Sequence, residues 1–63
     1  REELLGGTGV VLEDFDGAGR IRIHGEVWSA RSGEPLRKGQ TVRVVAMEGL
    51  VLRVEPGVRE SGG

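Results

Sequence analysis

The sequence predicts a small all-β barrel of five short strands, and three of its features carry that prediction. Twelve glycines are spread through 63 residues. Glycine costs a helix about 1 kcal/mol relative to alanine. No window of about 11 residues free of glycine and proline carries an apolar stripe of helical period. Arg20-Ile21-Arg22-Ile23 and Glu26-Val27-Trp28-Ser29-Ala30 alternate on either side of His24-Gly25, which reads as two strands meeting at a tight reversal. Residues 41–47 and 50–55 repeat that arrangement around Glu48-Gly49, giving the cleanest hairpin in the chain.

Residues 1–8 read as a linker or lead-in, charged and then apolar, with a short helical remnant as the other reading. Gly6-Gly7-Thr8-Gly9 lacks the Lys-Ser/Thr of a P-loop and the spacing of a dinucleotide fingerprint. It is taken as backbone freedom ahead of a strand. Val10-Val11-Leu12 begins the first strand, which runs to about Asp14 with Val10 and Leu12 on one face. Asp14-Phe15-Asp16-Gly17-Ala18-Gly19 is a turn, its aspartates able to bond nearby backbone. The spacing lacks the later ligands and closing glutamate of a calcium loop.

In the next strand Ile21 and Ile23 point one way and Arg20 and Arg22 the other, the pattern of a half-buried strand. Past the reversal, Val27 and Ser29 share one face, Trp28 and Ala30 the other; alternation does not decide which is core, and a bulge near Gly25 could flip the register. Residues 31–40 form the longest connection, broken by glycines and Pro35, with Leu36 as the apolar plug for one end of the core. Val42, Val44 and Ala46 line one face of the fourth strand; Leu50, Leu52 and Val54 point inward from the fifth, with Val51, Arg53 and Glu55 outward. The barrel domain thus spans residues 9–56, and residues 57–63 are expected to be a disordered tail. Closing the sheet removes exposed edges. Five strands with a long insert after the third suggest an OB-fold-like barrel, an SH3-like barrel being the structural alternative.

A chain of this length buries only about 60% of its unfolded surface. It has no cysteine, hence neither a disulfide nor a Cys/His zinc cluster to staple it. Net charge is −1, with scattered cations rather than the basic face of a phosphate binder. No run approaches the roughly 18 to 20 apolar residues of a membrane span, and nothing resembles a signal peptide. The chain starts at Arg1 without an initiator methionine and is expected to be a piece of a longer protein.

Gly9-Val10, then Gly19-Arg20-Ile21-Arg22-Ile23, then Gly25-Glu26-Val27-Trp28-Ser29-Ala30 resemble the C-terminal soluble domain of NfeD-like proteins. Leu36-Arg37-Lys38-Gly39-Gln40-Thr41-Val42-Arg43-Val44-Val45 and Gly49-Leu50-Val51-Leu52-Arg53-Val54 continue the pattern, so the resemblance runs from about Leu5 to Pro56. It implies an OB-fold module of a membrane-anchored protein, with several spanning helices upstream and the cytoplasmic face as the favoured side. It further implies a stomatin- or flotillin-type membrane partner and, in long family members, a ClpP-class serine protease domain with a Ser-Lys dyad elsewhere in the chain. It supplies no catalytic residue and no cofactor for this module.

The residues themselves offer little chemistry. His24, Glu26, Ser29 and Ser32 could on paper supply nucleophile, base and orienter, but a hairpin flanking a turn implies no buried cleft. A barrel this small fills its interior with side chains. The expectation is therefore a non-catalytic domain without metal, cofactor or evident small-molecule substrate. Trp28 is either a core or barrel-end plug or an exposed anchor of the type enriched at binding hot spots. Arg20, Arg22, Arg43 and Arg53 stand at outward positions, for solubility and cross-strand pairing with Glu26 or Glu55, or for recognition of an acidic partner. With Trp28, they are the candidate interaction surface. The alternative is a binder of single-stranded nucleic acid, which would have to work with one Phe, one Trp and no Tyr as stacking platforms.

Overall fold

The structure, a computed structural model, describes residues 4–57; the expectations for residues 1–3 and for the tail from Val58 lie outside the described residues. Five strands, β1 (Thr8–Val11), β2 (Ala18–Ile23), β3 (Glu26–Arg31), β4 (Thr41–Glu48) and β5 (Val51–Pro56), close in the order β1-β2-β3-β5-β4. β1 pairs antiparallel with both β2 and β4, and β3 pairs parallel with β5. This five-stranded Greek-key closure is the OB-fold order and sets aside the SH3-like alternative. A parallel pair cannot be joined by a tight turn, so residues 32–40 cross one end of the barrel to deliver β4 beside β1.

Inward rows of β-branched residues and leucine build the core. Ile21, Ile23, Val42, Val44 and Leu52 are each at most 1% exposed, and no polar side chain is buried among the described residues. Leu36 plugs the crossover end as expected, at 2% exposure. Its backbone exchanges two hydrogen bonds with Phe15 at 2.8 and 2.9 Å, and Phe15 packs against the core. Asp14 Oδ1 accepts from the Lys38 N–H at 2.8 Å. The aspartate therefore ties the β1–β2 loop to the crossover, rather than closing its own turn as its sequence position suggests. At the opposite end, where β1, β3 and β5 begin, Leu4 and Trp28 pack against the core.

Both hairpin turns follow glycine geometry. His24 and Gly25 take φ values of 54° and 76° between the paired residues Ile23 and Glu26, the two positive angles of a type I′ turn. The β2–β3 register runs without a bulge past Gly25. In the second hairpin Glu48 pairs with Val51, so the connection is Gly49-Leu50 rather than Glu48-Gly49. Gly49 at φ 66° occupies the first central position, as a type II′ turn requires. Leu50, expected to point inward, is consequently at the tip and 80% exposed.

Two facial assignments also differ from expectation. In β1 the inward residues are Gly9 and Val11, while Val10 is exposed and Leu12 lies beyond the strand. A Cβ on Gly9 would stand 2.7 Å from the Arg22 carbonyl oxygen, so the glycine taken as lead-in is the residue that lets β2 approach. In β4 the register shifts between Val44 and Ala46. That bulge pairs Ala46 with Arg53 and removes it from the inward row of Val42 and Val44.

Candidate functional site

Because successive residues of a strand face opposite sides, burying Ile21, Ile23 and Ala30 turns Arg20, Arg22, Val27, Ser29 and Arg31 outward. Cross-strand register then sets them in rows. Arg22 lies opposite Val27; Arg20 opposite Ser29, which neighbours Val51; and Arg31 beside Arg53. The β2–β3–β5 face is thereby divided. One end is apolar: Val27 is 53% exposed and Leu50 80%, and both line a shallow depression with Glu26, the half-buried Trp28 and Ser29. The other end is a cradle of small side chains, Ala18, Ser29 and Val51, walled by Glu13, Arg20 and Arg31.

The expected site residues do not all meet. Arg20, Arg22, Trp28 and Arg53 belong to this face, whereas Arg43 sits on the β1–β4 wall, opposite Thr8 and across from Glu55. Arg20 pairs with Glu13 at 3.6 Å and Arg53 with Glu48 at 3.4 Å, in place of the expected pairing with Glu26 or Glu55. Glu26 instead accepts the Trp28 indole N–H at 3.3 Å. Trp28 combines its two sequence readings: it packs against the core yet keeps an edge on the surface. A ring held in that position has little freedom left to lose on meeting a partner.

The residues weighed for catalysis are dispersed. His24 lies in the turn where β3 begins, and Ser32 lies beyond the other end of that strand with its Oγ accepting the Glu34 N–H at 3.0 Å. Among the described residues no three His, Cys, Asp or Glu side chains group to hold a metal. No described helix is long and apolar enough to cross a membrane.

Sequence reasoning missed Leu50, Val27 and Arg31 as surface candidates. Leu50 was legible in Gly49-Leu50, since glycine followed by another residue is the II′ alternative to a turn with glycine second. Arg31 was legible as the next outward step after Val27 and Ser29, had the third strand been extended by one residue.

A family model described as the NfeD-like C-terminal, partner-binding domain matches residues 1–56. The membrane-bound protease PH1510 of Pyrococcus horikoshii is 42% identical over 64 residues, an alignment covering 98% of this chain and 14% of that protein. The chain thus spans a small fraction of that relative's length. The solved C-terminal domain of stomatin operon partner protein 1510-C from the same organism superimposes with a TM-score of 0.85 at 41% identity, covering 94% of this chain and 95% of that one. The soluble domain of a Corynebacterium glutamicum membrane protein implicated in regulation of membrane protease activity gives a TM-score of 0.78 at 33% identity, with 84% and 90% covered.

Proposed function

The chain belongs to the family of NfeD-like C-terminal, partner-binding domains, and from that premise we propose that it is a non-catalytic module that holds a protein partner on its β2–β3–β5 face. The observation that carries this reading is Leu50, 80% exposed beside Val27 and the open edge of Trp28. A leucine left in water at a hairpin tip contributes little to folding, and beside Val27 and the Trp28 edge it suits an apolar contact with a partner. Arg20, Arg22 and Arg53 on the same face supply orientation and rate of encounter more than affinity.

The partner in this reading is a stomatin- or flotillin-type membrane protein, and the parent chain is membrane-anchored. The relatives support this: one is a stomatin operon partner protein, one a membrane-bound protease and one a membrane protein implicated in regulation of membrane protease activity. Protease chemistry, where a parent chain has it, is assigned here to segments outside this domain. The arginines would also suit a single strand, but both aromatics of the chain pack against the core, and that favours a protein. Co-purification of the intact protein with a stomatin-type partner tests the proposal. Replacing Leu50 by serine should abolish or sharply weaken the association, as should deleting residues 9–55; retention through both changes would refute it.

A further inference from the structure

We infer that the segment docking on the β2–β3–β5 face is extended and acidic, with a carboxylate four residues from an apolar anchor; this rests on the docking reading above. Arg31 and Arg53 are register partners on the parallel strands β3 and β5, so two guanidinium groups start from backbones about 4.8 Å apart. Like charges placed side by side on a sheet repel. Glu48, which lines one depression with both Arg31 and Arg53, pairs with Arg53 at 3.4 Å, and Glu13 pairs with Arg20 at 3.6 Å, all four side chains being at least 46% exposed. Exposed pairs of this kind are weak and exchangeable. Among the described residues neither Arg31 nor Arg22 has an ion-pair partner, so this face carries unpaired cations although the net charge of the chain is −1.

A carboxylate seated between Arg31 and Arg53 would be held by charge-assisted, potentially bidentate bonds. The small floor of Ala18, Ser29 and Val51 leaves the chain bearing it room to lie flat. Spacing follows from the strand: Val27 and Arg31 are separated by four positions of β3, roughly 13 Å at about 3.3 Å per residue. An extended segment covers that distance in four residues, a helix in about nine.

The test is a titration of the 63-residue chain, read by the fluorescence of its single tryptophan, Trp28, which borders the apolar end. The probe is a blocked nine-residue peptide of serine and threonine with a central leucine and a glutamate at each terminus. It should bind saturably at low salt, about three- to fivefold tighter than the same peptide with lysines in place of the glutamates, the span of one or two exposed ion pairs. A variant carrying Arg31→Glu and Arg53→Glu should reverse that preference. Equal binding of both peptides, unchanged in the variant, would overturn the acidic inference and leave the docking face standing. Equal binding when the glutamates are moved next to the leucine would overturn the spacing. If no peptide moves Trp28 while a single-stranded oligonucleotide does, the inference and the docking reading fall together.

Discussion

Leu50 and Leu52 are two residues apart and of opposite worth. Leu52 is fully buried, so Leu52→Ala should cost about 2–5 kcal/mol, enough to unfold much of a domain this small. Leu50→Ser should shift stability by no more than about 0.5 kcal/mol, as surface changes do, and serine after glycine suits the turn. Urea denaturation of both variants checks the contrast; a large loss for Leu50→Ser would mean its side chain is structural. The alternation of Leu50, Leu52 and Val54 made all three look inward, because periodicity cannot show where a strand ends and its turn begins. Trp28 was undecidable for a different reason: a ring at a barrel end faces core and solvent together.

At the scale of elements, the two turns decide the registers. His24 holds a left-handed φ of 54°, the first of the two positive angles of the turn. Gly25→Ala, at φ 76°, should lower stability by about 1 kcal/mol or more. A negligible effect of that substitution would contradict a type I′ turn. Across the crossover end, Asp14→Ala removes the acceptor of the Lys38 N–H and should cost about 1 kcal/mol, with faster amide exchange at Lys38 as its signature. The hairpins were readable because their strands alternate between polar and apolar. The β4 bulge and the inward place of Gly9 were not, since a shift of register and a missing side chain leave no mark in a hydrophobic pattern. The Asp14 contact spans 24 residues of sequence, and only the closed barrel brings its ends together.

For the whole molecule, five strands and their closure into a barrel followed from glycine spacing and two alternating hairpins. The proposed docking face did not, because it is assembled from three strands whose adjacency is set by the parallel β3–β5 pair. That pairing moves Arg31 next to Arg53 and leaves Arg43 on another wall. Binding that draws on these arginines should weaken with added salt, since exposed charges are screened within about 8 Å at physiological ionic strength; a partner affinity independent of salt would confine the contact to the apolar end. The central claim is most directly tested by two-dimensional NMR of the isotope-labelled chain with the extramembrane part of a stomatin-type partner. The expected result is that amide shifts gather at Val27, Ser29, Arg31, Leu50 and Val51, together with the Trp28 indole. Shifts confined to Thr8, Arg43 and their neighbours on the β1–β4 wall would contradict it.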